Sequence, residues 1–292
     1  MLNFINKKFP YLLVTPAILL LTVFAIIPII VALFISLTNA GITGLADFSK
    51  IEFVGLDNFQ AIFSDPVFYQ SIGNTLTYVM IGVPLLIVLS MGLAIIINFG
   101  QNRFFQAFKL IFYAPSVTGL VAVAVIWSFL YNPFGFFNYL LGLLHLGPIN
   151  WLQDPKIAKF SLIILALWRG IGTNMIIFLA ALQGIPKDYY EAAALDGASL
   201  WEQIIHITIP SLKFATFFVG ITSLIGWLQF FDEPLIMTKG GPLNSTMSIS
   251  LFIYKNGFQL SNFGYAAAGS FVLFAAIVVV TLLMFRFQGK EK

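Results

Sequence analysis

The chain of 292 residues is 59% hydrophobic and only 9% charged, and its mean hydropathy of +0.94 lies far outside the range of soluble domains. The sequence therefore predicts an integral membrane protein, in which the 32 Phe residues cover lipid-facing and helix-packing surfaces rather than a cofactor site. The absence of Cys excludes disulfides, thiolate metal sites and a Cys nucleophile, and a scattered net charge of +3 argues against a nucleic-acid-binding face.

Long runs without Asp, Glu, Lys or Arg predict the membrane spans in chain order. Four such runs are each longer than the ~20 residues that cross a bilayer: 9–46, 66–102, 110–153 and 256–285. Two further apolar runs lie near 160–183, interrupted only by Arg169, and near 214–236. The sequence thus predicts an all-α polytopic protein with six transmembrane helices.

Two of these runs allow an alternative interpretation. The run 110–153 could hold a seventh helix, but the sequence NPFG at 132–135 breaks it, and the apolar piece that follows has about 12 residues, typical of an interfacial or re-entrant segment. Lys7 and Lys8 precede the first run, as basic residues precede a signal peptide core. The apolar stretch 11–37 is far longer than the ~7–15 residues of such a core, which favours an uncleaved helix.

Basic residues predict which side of the membrane each loop faces. With the amino terminus inside, nine of them lie at cytoplasmic ends and five in outer loops. The inner set is Lys7, Lys8, Arg103, Lys109, Lys187, Lys213, Arg286, Lys290 and Lys292, and the outer set is Lys50, Lys156, Lys159, Lys239 and Lys255. Because cytoplasmic loops carry the excess of Lys and Arg, we expect both termini in the cytoplasm.

In this topology, residues 184–213 form the largest cytoplasmic loop, and their capping and helix-ending residues predict a helical hairpin. Pro186 suits a first turn, and Gly197 lies where a left-handed stop is needed. A capping box at 199–202 begins a second helix, which Pro210 ends. Helices of about ten residues are marginal in water, so the hairpin packs either on the membrane surface and its own bundle or against a cytosolic partner.

The hairpin resembles the cytoplasmic-loop signature of permease subunits of binding-protein-dependent ABC importers. The matching letters are EAA at 191–193, Gly197 and ITIP at 207–210, where Ile209 replaces the usual Leu. The stretches LAALQGIPKDYYEAAALDGA, FVGLDNFQAIFSDPVF and FFDEPLIMTKGGPLNST are similar to the carbohydrate branch, specifically to the first membrane subunit of maltose-type and glycerol-phosphate-type systems. The similarity covers nearly the whole chain.

The resemblance implies a type I ABC importer permease bundle in the cell (inner) membrane of a bacterium or archaeon. Residues 1–292 would form a single permease domain that contains the coupling-helix loop 184–213. The implied partners are a second permease subunit, two ATP-binding subunits and an extracellular solute-binding protein. The chain would be no enzyme and would hold no cofactor, since ATP and Mg would bind the partner ATPases, and no G-x-x-x-x-G-K-[ST] motif occurs.

The implied function is ATP-driven import of a sugar or oligosaccharide that the extracellular protein delivers. The alternatives are an importer permease for a non-sugar solute such as glycerol phosphate, and a secondary carrier. In the hairpin, an acidic side chain can meet a basic group of the ATPase, small residues permit close approach, and the glycine permits a sharp exit. The implied ATPase-coupling residues are Glu191, Ala192, Ala193, Asp196, Gly197, Ile207 and Pro210.

Polar groups at membrane depth are costly and usually face a cavity or a partner. Such groups lie in span four and toward the outer end of span five, where neighbouring aromatic rings could stack on a sugar. The substrate-path candidates are Arg169, Asn174, Trp227, Gln229, Phe230, Phe231 and Asp232. In the competing interpretation, Arg169 pairs structurally, and Asp232 and Glu233 lie in the outer interface.

Two rival functions have weaker support. A secondary carrier predicts internal repeats with broken helices, and no repeat relates the two three-helix halves. A membrane-embedded enzyme needs clustered catalytic groups, whereas the spans hold almost no titratable residues. His145 and His206 lie in separate loops without a second ligand nearby, which argues against a metal site.

Overall fold

The protein is described by a computed structural model over residues 2–42, 44, 47–100 and 103–289. Within these residues the chain is helical, with one antiparallel bridge between Thr38 and Phe53 and no strand, which confirms the predicted all-α class. The helices are α1 (Leu2–Leu21, continuing through a π-helical turn at Thr22–Ile26 into Ile27–Ser36), α2 (Asp57–Ile62), α3 (Pro66–Phe99), α4 (Arg103–Val117), α5 (Leu120–Leu130), α6 (Phe136–Leu143), α7 (Ala158–Gln183), α8 (Lys187–Leu195), α9 (Leu200–Ser211), α10 (Lys213–Leu228), α11 (Ile249–Tyr254) and α12 (Phe263–Gly289). Lys290 and Lys292, two of the predicted inner residues, lie outside the described residues.

Four helices, α1, α3, α7 and α12, are long and apolar enough to cross a membrane by themselves. Two bent pairs, α4 with α5 and α9 with α10, bring the number to six if each pair is one span. Every predicted run therefore corresponds to one of these helices or pairs. The chain is a multi-pass membrane protein.

The run 110–153 differs most from its prediction. The sequence places its break at 132–135, whereas α4 and α5 are already bent by 101° at the residues between them. Gly119 has a ψ of 126° there, so the helix cannot continue through it, and Pro115 lacks the N–H that a helix interior requires. The expected short apolar segment is helix α6, with 8 residues.

The chain forms two compact units, of which the first comprises Met1–Asp65 and Ile253–Phe274. In this unit, Asn58 Nδ2 donates to the carbonyl oxygens of Ser36 and Thr38 at 2.9 and 2.8 Å. The Tyr265 hydroxyl donates to Asp65 Oδ2 at 2.8 Å. These bonds hold the chain after α1 in place. A single permease domain over residues 1–292 stays a prediction.

The second unit comprises Pro66–Phe252 and Ala275–Lys292, and its core lies between α3, α7 and α10. Ala94, Phe178 and Val219 belong to one buried apolar cluster there. Helix α4 also lies very close to α7, because a Cβ at Gly172 would overlap the carbonyl group of Phe112. This packing frames a cavity between α7 and α10.

Candidate functional site

The second unit contains a cavity of about 530 Å³, a size typical of small-molecule sites. All of the predicted substrate-path residues line it: Arg169, Asn174, Trp227, Gln229, Phe230, Phe231 and Asp232. The structure thus brings together residues from two predicted spans. That they contact a substrate stays a prediction.

Helix geometry explains why these side chains meet. On α7, Arg169, Thr173 and Ile177 line the cavity at intervals of four residues, which places them on one helix face. Helix α10 ends at Leu228, where the N–H of Gln229 donates to the carbonyl of Ile225 at 3.1 Å. The chain then leaves the helix, and residues 229–233 all line the cavity.

An ion pair lies in the cavity wall. Arg169 Nη1 donates to Glu233 Oε1 at 3.1 Å, and the two side chains are 28% and 8% exposed. Arg169 is thus paired, as the competing interpretation expects, and its partner is Glu233. The position of Asp232 and Glu233 in an outer interface stays a prediction. Asp232 was a predicted substrate-path residue, whereas Glu233 was named only in the competing interpretation. The available signal was that an arginine within an apolar run needs a counter-ion.

The aromatic rings of the cavity were expected to be open for stacking on a sugar, but two of them are packed against other rings. Trp227 and Phe230 are each 6% exposed, and their rings stack on each other at 5.2 Å with an interplanar angle of 12°. The ring of Phe230 also packs against that of Tyr78, with 4.6 Å between the ring centroids. These rings form a wall of the cavity, whereas the side chains of Gln229 and Asp232 are exposed in it.

Residues 184–213 form a helical hairpin, as predicted. Its first helix, α8, follows Pro186 and ends in a Schellman motif: the N–H of Ala198 donates to the carbonyl of Ala193 at 2.9 Å, and that of Gly197 to Ala194 at 3.1 Å. Gly197 has a φ of +84°, which confirms the predicted left-handed stop. Here Ala193 contributes its backbone carbonyl to the turn.

The second hairpin helix, α9, begins with the predicted capping box. The Ser199 hydroxyl accepts from the N–H of Glu202 at 3.3 Å, and the N–H of Ser199 donates to the Glu202 carboxylate at 2.7 Å. Hydrogen bonds from the Ser199 side chain and backbone hold the pKa of Glu202 below its usual value. The helix ends at Ser211, one residue after Pro210.

The hairpin presents large apolar side chains next to small and polar ones. Leu195 is 90% exposed and Trp201 is 69% exposed. A hollow of about 410 Å³ lies between the two helices, and four of the predicted coupling residues line it: Ala193, Asp196, Gly197 and Ile207. Glu191, Ala192 and Pro210 are exposed outside this hollow.

The chain is thus a helical membrane protein with two bent helix pairs and a capped hairpin. Residues 59–290 match the family described as the inner membrane component of binding-protein-dependent transport systems. The chain belongs to this family, and it is a membrane permease subunit.

Two relatives and one solved structure are similar over nearly the whole chain. The lactose transport system permease protein LacF of Rhizobium radiobacter is 39% identical over 97% of this chain and 94% of its own length. The sn-glycerol-3-phosphate transport system permease protein UgpA of Pectobacterium atrosepticum is 34% identical over 99% and 96%. The solved structure is a bacterial alginate ABC transporter in complex with an alginate pentasaccharide-bound periplasmic protein. One of its chains superimposes with a TM-score of 0.83 at 24% identity, over 97% of this chain and 95% of that chain. The permease fold is thereby confirmed.

Proposed function

We propose that this chain is one permease half of an ATP-driven importer and that its cavity carries a neutral sugar or oligosaccharide. An extracellular solute-binding protein would deliver the sugar, a second permease subunit would complete the pathway, and two separate ATPase subunits would bind ATP and Mg. The supporting observation is the cavity of about 530 Å³ that gathers Gln229, Asp232, Asn174 and hydroxyl side chains beside aromatic rings. Neutral sugars are bound by such directional hydrogen bonds in partly apolar pockets.

Charge in the cavity favours a neutral sugar over glycerol phosphate. Arg169 is the cation of the lining, and Glu233 already pairs with it at 3.1 Å. Asp232 adds a second carboxylate to the same lining. A phosphate in this cavity would face two carboxylates and a guanidinium that already has a partner. Like charges that lie close together repel each other, which disfavours a phosphate here. Glycerol phosphate, the solute named for one relative, is therefore a less suitable substrate for this chain than a neutral sugar.

The hairpin is placed to couple ATP hydrolysis to the cavity. Helix α7 ends at Gln183, just before α8 begins at Lys187, and α9 is followed directly by α10. Two of the helices that line the cavity, α7 and α10, are thus the two that flank the hairpin. A hydrogen bond of 3.0 Å between the hydroxyls of Tyr190 and Thr208 joins the hairpin helices. A movement of the hairpin on an ATPase subunit would therefore be transmitted to both cavity walls.

Exposed acidic side chains favour an ATPase partner over the membrane surface for the hairpin. Leu195, Trp201 and the small alanines of α8 lie beside the acidic residues Glu191 and Asp196. A surface of this composition suits a groove with basic residues at its rim, because the alanines allow close approach. Acidic side chains would be disfavoured against an anionic bilayer surface.

If both termini lie in the cytoplasm, two single-cysteine variants should be labelled from opposite sides of the membrane. Because the chain has no Cys, a membrane-impermeant maleimide reports only the introduced residue. Ser49→Cys should react in intact cells, and Ala194→Cys only after permeabilisation; both positions are exposed. Labelling of Ala194→Cys in intact cells would invert the proposed orientation.

The Gln229→Ala variant should weaken sugar uptake severalfold without changing assembly. A lost hydrogen bond typically costs about 0.5–1.5 kcal/mol, and the side chain is exposed in the cavity, so its removal disturbs no packing. Uptake against sugar concentration in whole cells measures the effect. Gln153→Ala, an exposed glutamine that does not line the cavity, is the matched control. An unchanged concentration dependence in both Gln229→Ala and Phe230→Ala would place the sugar path elsewhere.

A further inference from the structure

Gly82, a buried residue of α3, lies directly against a ring of the cavity wall. A Cβ at this position would overlap the Cε3, Cζ3 and Cη2 atoms of Trp227. These atoms form the far edge of the indole. The edge therefore fills the space that any side chain at position 82 would occupy.

The surroundings of Trp227 decide where the ring could move. Its face stacks on Phe230 at 5.2 Å, and Phe230 packs against Tyr78 at 4.6 Å. Tyr78 is completely buried, and its hydroxyl donates to the carbonyl of Thr246 at 3.0 Å. These neighbours resist displacement because buried side chains are close-packed. The open space beside Trp227 is the cavity, which the ring lines together with Leu86 and Phe230.

We propose that Gly82 determines the size specificity of transport by seating Trp227 against α3. The seated ring leaves the cavity wide, and a side chain at position 82 would push the ring into it. Gly82 would thereby set the upper size of the sugar that the cavity admits. This inference rests on the proposed sugar path and adds the residue that limits it.

A glycine in a helix could also serve flexibility, and α3 provides a control for that role. Gly92 lies in the same helix, and a Cβ there would meet no atom within 4 Å. Alanine at either position raises helix propensity to the same extent. A difference between Gly82→Ala and Gly92→Ala therefore reports the contact with Trp227.

The width of the cavity can be measured without any sugar. In the complete transporter, Thr173→Cys places a reporter thiol on the cavity wall of a chain that has no other Cys. The probes are the small reagent 2-aminoethyl methanethiosulfonate and a bulky biotin-linked methanethiosulfonate. Because overpacking forces side chains to shift, Gly82→Ala should slow the bulky reagent at least about tenfold relative to the small one. Gly92→Ala should leave the ratio of rates unchanged.

A second variant keeps the test decisive even if Gly82→Ala assembles poorly. Trp227→Phe removes the overlapping atoms, so it should restore the labelling ratio in the double variant and raise the rate of the bulky reagent by itself. An unchanged ratio in Gly82→Ala, or no effect of Trp227→Phe in either background, would overturn the proposal.

Uptake then separates this proposal from the proposed function. With lactose and longer maltooligosaccharides as probes, Gly82→Ala should lower uptake of the longest transported sugar more than that of the shortest. If the labelling ratio falls while relative uptake stays constant, size selection by Gly82 is refuted and the sugar path itself lies outside this cavity. If Gln229→Ala weakens uptake and the labelling ratio in Gly82→Ala is unchanged, only the role of Gly82 is refuted.

Discussion

The Gly197→Val variant is expected to assemble with its partners and to lose most sugar uptake. Gly197 has a φ of +84°, and a Cβ there would meet no atom within 4 Å, so the substitution introduces backbone strain without a clash. A β-branched residue in this conformation costs about 1–3 kcal/mol. The two Schellman bonds that hold the turn contribute about 0.5–1.5 kcal/mol each, so the strain is about as large as their sum. The turn should therefore be open in a large fraction of the molecules, while the transmembrane core remains folded.

Two measurements distinguish a coupling defect from misfolding. Sugar uptake in whole cells should fall, and the ATPase activity of the purified complex should no longer respond to the loaded binding protein. Gly197→Asn is the control, because Asn tolerates the left-handed region far better than Val, and it should keep most of the activity. If Gly197→Val assembles normally and transports at the wild-type rate, the hairpin does not couple the ATPase to transport.

Local features of this protein could be predicted from the sequence because their causes are local. The capping box of Ser199 and Glu202 and the stop at Gly197 each depend on residues within a few positions. The spans follow from apolar runs, since a bilayer accepts few charges over ~20 residues. Polar residues within those runs also pointed to the cavity, because a membrane-buried polar group needs a polar neighbour.

Features that depend on distant residues were missed. Arg169 and Glu233 are 64 positions apart, and only the packing of α7 against the chain after α10 selects Glu233 rather than Asp232 as the partner. The packing of the Trp227 ring against Gly82 likewise joins distant residues, of α10 and α3. Asn74 is a further case, because its amide donates to the carbonyls of Asn244 and Met247 at 2.8 Å. No periodicity or motif specifies such pairs.

The Arg169→Gln variant is expected to destabilise the permease more than any other single change proposed here. It would leave the carboxylate of Glu233, whose side chain is 8% exposed, without its partner at 3.1 Å. Removing one partner of a buried ion pair typically costs about 3–5 kcal/mol. Glu233→Gln should cost less, because the Arg169 side chain is 28% exposed and can keep part of its hydration. The amount of folded complex in detergent and its thermal midpoint measure both effects.

An exposed ion pair and a double variant are the controls for Arg169→Gln. Lys50 lies 3.9 Å from Asp47, with side chains 63% and 47% exposed, and surface pairs contribute at most about 1 kcal/mol. Lys50→Gln should therefore leave the thermal midpoint unchanged. If Arg169→Gln also leaves it unchanged, the cavity pair does not behave as a buried ion pair. The double variant of Arg169→Gln and Glu233→Gln removes both charges and should recover most of the lost stability, since neither charge remains unpaired. If this stable double variant also transports normally, the pair only holds the cavity wall. Loss of uptake in a folded double variant would instead place Arg169 or Glu233 in contact with the sugar.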